Sequence, residues 1–109
     1  MPGNRKRLDI IADIISYVSG LGGKGVKKIW IMYECNLSYA SLIKYLSQTL
    51  DAGLLILDED VYKITPKGKI FLPIMNGYKK RVKKIEEEVK MISDEKAELE
   101  KMCPPIEAK

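Results

Sequence analysis

The side chains with the clearest chemistry in this sequence are the lysines and arginines before and within its first predicted helices. Ammonium and guanidinium groups donate hydrogen bonds to anionic oxygens, and they suit a polyanionic partner such as a phosphate backbone. Residues 1–69 contain ten basic and seven acidic side chains, a net charge of +3 out of +4 for all 109 residues. We expect phosphate contacts from Arg5, Lys6, Arg7, Lys24, Lys27, Lys28 and Lys63.

Catalytic and metal chemistry have little support in this sequence. It contains no histidine, which is the commonest general base and the commonest metal ligand. The two cysteines, Cys35 and Cys103, are too far apart for a zinc ligand pair and too few for a disulfide framework. We therefore expect no enzyme activity, no cofactor and no metal. A reducing cytoplasm suits the cysteine usage, and no apolar run reaches the ~18 residues of a membrane span.

The basic residues surround a series of predicted helices. Apolar residues recur at helical spacing over residues 8–18, and residues 27–34 form a short second helix. Asn36 tolerates the left-handed backbone that ends a helix, and Ser38 is a typical N-cap for a third helix that Gly53 closes. The short polar link predicts a helix-turn-helix. We also expect Trp30 and Tyr33, with Met32, to lie in or near the core.

Two β-prone runs follow, residues 54–57 and 61–65, separated by three acidic residues. Thr65 and Pro66 then form an N-cap and a first helical position. This order predicts a mainly α fold with a small β-hairpin: a winged helix-turn-helix followed by a long C-terminal coiled-coil helix. We place the winged helix-turn-helix at residues 1–70, the dimerisation helix at 71–103 and a tail at 104–109.

The third helix is the predicted recognition helix, since its counterpart in this fold enters the major groove. A leucine stripe one turn apart faces the core, which leaves a polar face outward. That face has no Arg or Asn for bidentate contacts to guanine or adenine, so weak sequence preference follows. The expected contacts on or beside this helix are Ser38, Tyr39, Ser41, Lys44 and Gln48.

The last third of the sequence carries a heptad repeat, with spacings that alternate between four and three from residue 71 to residue 103. One helix cannot bury this stripe, so a second copy is the simplest partner. We call the expected contact residues the dimer seam: Met75, Tyr78, Val82, Ile85, Val89, Ile92 and Leu99.

Charge predicts how the two copies align. Residues 79–84 contain five basic side chains, whereas residues 86–100 contain seven acidic ones against two lysines. A parallel pair would place like charges together, and an antiparallel pair sets the basic end of each helix beside the acidic end of the other. The pattern favours an antiparallel homodimer.

Two segments also resemble a known family. The turn Asn36-Leu37-Ser38-Tyr39 and the stretch YKITPKGKIFL at residues 62–72 are similar to the small archaeal chromatin proteins of the Sulfolobus 10a family. The resemblance covers residues 8–102. It implies winged helices on an antiparallel coiled-coil dimer, double-stranded DNA as partner, little sequence preference and a nucleoid-associated role in the cytoplasm.

Two alternatives remain open. A sequence-specific transcriptional regulator on the same fold would use Ser41, Lys44 and Gln48 to recognise an operator. A coiled-coil interaction module would bind protein rather than DNA through its winged domain, and the acidic tip of the hairpin favours that second alternative.

Overall fold

A computed structural model describes residues 5–104 of the chain. The elements are α1 (Arg7–Gly20), a 3₁₀ turn (Gly22–Lys24), α2 (Lys28–Glu34), α3 (Tyr39–Asp51), β1 (Leu55–Asp58), β2 (Val61–Ile64) and α4 (Pro66–Met102). The predicted fold class is confirmed: the chain is mainly helical, with a two-stranded antiparallel hairpin and a long C-terminal helix. The expected tail lies beyond the described residues from position 105 onward.

Three helices and the hairpin share one hydrophobic core. Ile14 of α1, Ile31 of α2 and Leu42 of α3 have no exposed surface, and Leu55 of β1 is 1% exposed. The polar member of this core is Thr49, whose hydroxyl donates to the Leu46 carbonyl oxygen at 2.7 Å. Because that hydroxyl is bonded within α3, its burial leaves no donor without a partner.

The hairpin is tied to the segment before α2. β1 and β2 pair in register with Leu55 opposite Ile64, and the turn between them places Glu59 at a φ of 58°. The Val26 and Tyr62 backbones exchange two hydrogen bonds, with N–O distances of 2.9 and 2.7 Å. This bridge joins the hairpin of β1 and β2, which is the wing of the fold, to the loop that leads into α2.

The start of α4 follows from local chemistry. The Thr65 hydroxyl accepts from the Gly68 amide at 3.0 Å and lies 2.6 Å from the Gly53 carbonyl oxygen, to which it donates. A Cβ at Gly68 would collide with the Leu54 carbonyl oxygen, so this first turn packs tightly against the strand. The predicted N-cap is confirmed, and α4 runs without interruption through Pro73.

The chain divides into two compact units, the first ending at Met75 and the second beginning at Asn76. The sequence placed this boundary between residues 70 and 71. Phe71 and Leu72 pack against the core of the first unit, and Met75 is 5% exposed. These residues of α4 therefore belong with the winged domain.

Two aromatic residues that were expected in or near the core are exposed. Trp30 is 57% exposed and Tyr33 is 67% exposed, although both were predicted to be core or near-core residues. The reason is the length of α2, which has only seven residues and turns Ile31 and the Cys35 that follows it toward the core. Trp30 and Tyr33 fall on its opposite side. Met32 does pack against the core, as expected.

Candidate nucleic-acid interface

The turn between α2 and α3 has the geometry of a helix-turn-helix. Asn36 adopts a φ of 54°, and the Leu37 amide donates to the Met32 carbonyl oxygen at 2.9 Å. The Ser38 hydroxyl accepts from the Ser41 amide at 3.2 Å, which caps α3. Both predicted turn residues, Asn36 and Ser38, are confirmed in these roles.

The outward face of α3 carries most of the expected polar residues. Leu42 and Leu46 are buried, while Lys44 and Ser47 on the opposite side are exposed. Ser41 is half-buried at the edge of this face. Lys44 also lies against the ring of Tyr45, with its Nζ 5.3 Å from the ring centroid. A cation held over an aromatic ring still presents N–H donors to solvent.

Lys28 and Tyr39 come together where α2 and α3 begin. The Lys28 Nζ lies 3.4 Å from the Tyr39 hydroxyl and 5.5 Å from the centroid of its ring. Tyr39 is 58% exposed, so the pair stands at the surface. The Tyr39 hydroxyl and the Lys28 ammonium group are therefore available to an anion that approaches the start of α3.

Arg7 reaches α3 from the first residue of α1. Its Nε donates to the Gln48 Oε1 at 2.7 Å, across 41 residues of sequence. Arg7 is exposed and Gln48 is half-buried. The sequence suggested that each would contact DNA separately, and no local signal in it indicates that the two side chains meet.

Arg5 has a structural role that the sequence did not predict. Its Nη1 lies 2.7 Å from the Asp13 carboxylate, and its Nη2 donates to the carbonyl oxygens of Cys35 and Asn36 at 2.7 and 3.2 Å. Three acceptors already occupy this guanidinium, so it fastens the N-terminal segment to the helix-turn-helix. Two of its five N–H donors remain, and phosphate contact by Arg5 stays a prediction.

The lysines near the wing are paired with its acidic tip. Lys63 lies 2.9 Å from the Asp58 carboxylate, and Lys27 lies 3.6 Å from the Asp60 carboxylate. Exposed pairs of this kind contribute little stability and are screened by salt. They do reduce the positive charge that Lys63 and Lys27 present, and they reduce the negative charge of the tip by the same amount.

Five cations of the first helices and turns take part in no ion pair within residues 5–104. The ion pairs in that part of the chain join Arg5 to Asp13, Lys27 to Asp60, Lys63 to Asp58 and Lys101 to Glu98. The cations of the first helices and turns that take part in none of them are Lys6, Arg7, Lys24, Lys28 and Lys44, all of them exposed.

Most residues of the predicted dimer seam are exposed in the second unit. Within it, Tyr78 is 53% exposed, Ile85 and Val89 are each 60% exposed, and Ile92 and Leu99 are each 63% exposed. Val82 is half-buried. Met75 differs from these residues because it is already covered by its own chain, which leaves little of its side chain for a partner.

Other chemistry has little basis in residues 5–104. No group of three or more Cys, Asp or Glu side chains there is placed to hold a metal ion. Burial raises the pKa of the Cys35 thiol to about 11, with a smaller contribution from Asp13, so this sulfur stays protonated at neutral pH. None of the described helices combines the length and apolarity that crossing a bilayer requires.

Comparison with known proteins agrees with this architecture. The sequence profile described as "Winged helix-turn-helix" matches residues 4–83, well over half of the chain. An uncharacterized protein of Methanocaldococcus jannaschii, MJ0290, is 34% identical over 68 residues, which is 62% of this chain. The match spans only 31% of that archaeal relative. The chain belongs to the winged helix-turn-helix family.

Proposed function

We propose that this chain is a non-enzymatic, homodimeric protein that binds duplex DNA with little sequence preference and organises chromatin. The observation that carries the proposal is the exposed face of α3, with Lys44 at its centre, Lys28 and Tyr39 at its start and Arg7 at its side. A helix of this kind at the end of a helix-turn-helix is the element that enters a major groove.

The composition of that face supports backbone binding over base recognition. Lys44 and Lys28 are point charges that suit phosphate oxygens. On α3 itself no Arg or Asn offers the bidentate contacts that distinguish guanine or adenine. Binding energy that comes mainly from phosphates changes little between sequences. This behaviour suits a chromatin protein such as those of the Sulfolobus 10a family, which the sequence resembles.

The seam of the second unit supports dimerisation. Five of its residues are at least half exposed in a single chain, and they recur at heptad spacing. An apolar stripe of this length on a soluble protein marks an interaction surface. A second copy supplies a matching stripe, so the proposed partner is another molecule of the same protein.

The charges of α4 support an antiparallel arrangement. A register centred between Ile85 and Val89 pairs these two residues across the dimer, pairs Val82 with Ile92, and pairs Tyr78 with Lys96. That last pair explains a lysine at one position of the heptad repeat, because the alkyl stem of Lys96 packs on the Tyr78 ring while its ammonium group stays in water. The five basic residues of positions 79–84 then lie beside the acidic residues that follow position 90 in the other copy.

Charge reversal on the proposed face tests DNA binding. The variant Lys28→Glu/Lys44→Glu should bind a random duplex at least about tenfold more weakly than the unchanged protein, because both side chains would then repel phosphates. The matched control is Lys90→Glu/Lys101→Glu, with the same change in net charge at heptad positions outside the seam. Equal affinities of the two variants, measured by fluorescence anisotropy with circular dichroism as a check on folding, would overturn the proposal.

Disulfide trapping tests the orientation of the dimer. In a Cys103→Ser background, Tyr78→Cys/Lys96→Cys should cross-link two copies on mild oxidation, since position 78 faces position 96 in the antiparallel register. The control, Lys96→Cys alone, should stay uncross-linked. Efficient cross-linking of that control would show that the helices are parallel, because only then do identical seam positions meet.

A further inference from the structure

The contact between Arg7 and Gln48 determines which hydrogen bonds α3 can offer. Arginine Nε carries a hydrogen and no lone pair, so it acts only as a donor. The Gln48 atom 2.7 Å away is the amide oxygen, which accepts. This contact uses one of the two lone pairs of the Gln48 amide oxygen and leaves its NH₂ group, with two N–H donors, for a ligand.

Arg7 contributes further donors at the same place. Its contact with Gln48 uses Nε, and the hydrogen bonds within residues 5–104 give its two Nη groups no partner. The guanidinium is planar, which keeps the four Nη hydrogens in the plane that contains the bond to Gln48. Arg7 and Gln48 together therefore form a flat group of donors beside the outward face of α3.

The neighbouring residues on α3 are of two kinds. Ser41 and Lys44 lie seven and four positions before Gln48 and share its side of the helix. Lys44 adds three more donors, and the Ser41 hydroxyl can donate or accept. Asp51, three positions after Gln48, is exposed and is the acidic residue on this face. These donors lie along the outward face of α3, the element that enters the major groove in this fold.

We propose that Arg7 and Gln48 act as one donor-rich recognition unit that selects guanine in the major groove. Guanine presents two acceptors there, N7 and O6, whereas adenine presents one acceptor and one donor. The usual glutamine contact to adenine needs the amide oxygen to face the base, whereas the hydrogen bond from Arg7 turns that oxygen toward Arg7. The inference rests on the proposed DNA binding and gives it a weak, directed preference for G·C pairs.

The pairing also explains how an arginine can contribute to recognition when α3 contains none. The first residue of α1 supplies the guanidinium, and Gln48 holds it against α3. Arg7 is then a base-contacting residue, and Gln48 both contacts the base and positions Arg7. Phosphate oxygens are also paired acceptors, so the test distinguishes contact with guanine from contact with phosphate.

The experiment compares the affinities for an all-G·C duplex and an all-A·T duplex at one salt concentration. Arg7→Ala should lower G·C affinity by about tenfold. It should lower A·T affinity no more than the control Lys6→Ala does, which removes the same charge from the neighbouring position. Removing Arg7 also frees the Gln48 amide oxygen, so the ratio of G·C to A·T affinity should fall below that of the unchanged protein.

Gln48→Glu keeps the inference testable if Arg7→Ala folds poorly. A glutamate at position 48 still accepts from Arg7 and preserves the link between α1 and α3, but it presents no N–H donor. We expect a smaller loss of G·C preference than in Arg7→Ala, because Arg7 stays in place. An unchanged ratio in both variants would overturn base recognition, and an equal loss on both duplexes in Arg7→Ala would assign Arg7 to phosphate. Failure of the unchanged protein to bind either duplex would instead overturn the proposed function.

Discussion

The two units of this chain treat their apolar residues in opposite ways. In the first unit, Ile14 and Leu42 have no exposed surface, because three helices and a hairpin surround one core. In the second unit, Ile85 and Leu99 are 60% and 63% exposed on one helix. A single helix cannot bury its own apolar face, because that requires packing against another element. The first unit therefore buries its apolar residues through its own contacts, and the proposed dimer would bury those of the second.

Charge differs between the two regions as well. Residues 1–69 carry a net +3 from ten basic and seven acidic groups, with several cations exposed around α2 and α3. Residues 70–109 have nine basic and eight acidic groups, a net +1, but the basic groups cluster before the acidic ones. A nearly neutral segment with separated signs suits pairing with a copy of itself. A modest excess of one sign suits an anionic ligand.

The largest expected effect tests the self-contained core. Leu46→Ala should lower the free energy of unfolding of the first unit by about 2–5 kcal/mol, because it removes buried methyl groups and leaves a cavity. Hydrogen exchange of the α1 and α3 amides measures this loss. The dissociation constant of the proposed dimer should be unchanged. A Leu46→Ala protein with unchanged protection in α1 and α3 would show that the core of the first unit is not what stabilises it.

A smaller effect is expected from the seam. Ile85→Ala should weaken the dimer at least about tenfold, which is about 1.4 kcal/mol, because two side chains per dimer lose their apolar contacts. Analytical ultracentrifugation over a range of concentrations measures the dissociation constant. The control, Met91→Ala, shortens an exposed apolar side chain outside the seam and should leave the constant unchanged. Loss of hydrogen-exchange protection in α1 rather than loss of dimer would contradict the division between the units.

The smallest effect concerns the start of α4. Thr65→Ala should cost about 1 kcal/mol of stability, since the Gly68 amide and the Gly53 carbonyl oxygen each lose a partner. Glu87→Ala, at an exposed position of the same helix, should change stability by less than about 0.5 kcal/mol. Thermal unfolding followed by circular dichroism measures both. Equal melting temperatures for the two variants would mean that this cap is unimportant.

Local chemistry made much of the fold predictable. Ser38 and Thr65 both cap the helices that the sequence assigned to them, because a hydroxyl before a helix satisfies backbone amides wherever the chain places it. Asn36 takes the left-handed backbone for a similar local reason. The hairpin follows from two β-prone runs on either side of a short acidic turn. Each of these features depends on a few consecutive residues.

The contacts and exposures that the sequence did not reveal involve residues whose partners lie far away in the chain. Arg5 meets Asp13 and the carbonyl oxygens of Cys35 and Asn36, and nothing near residue 5 indicates those acceptors. Trp30 was expected inside because tryptophan is large and apolar. Its exposure depends on which side of a seven-residue helix faces α1 and α3, and periodicity is weak over so short a segment.

The same limit applies to the candidate interface. The basic residues and the polar face of α3 were identifiable from residue type and helical spacing. The contact between Arg7 and Gln48 was not, since it depends on how α1 packs against α3. Pairing of Lys27 and Lys63 with the acidic wing was also hidden, because it requires the register of the hairpin and its position beside α2.

The salt dependence of DNA binding tests the central claim most directly. Anisotropy titrations of the unchanged protein against a random duplex, at salt concentrations from about 50 to 200 mM, give the slope of log affinity against log salt. Because the first unit is proposed to bind mainly through phosphates, affinity should fall steeply, by an order of magnitude or more across this range. Affinity that stays nearly constant with salt, or no binding even at the lowest concentration, would contradict the account.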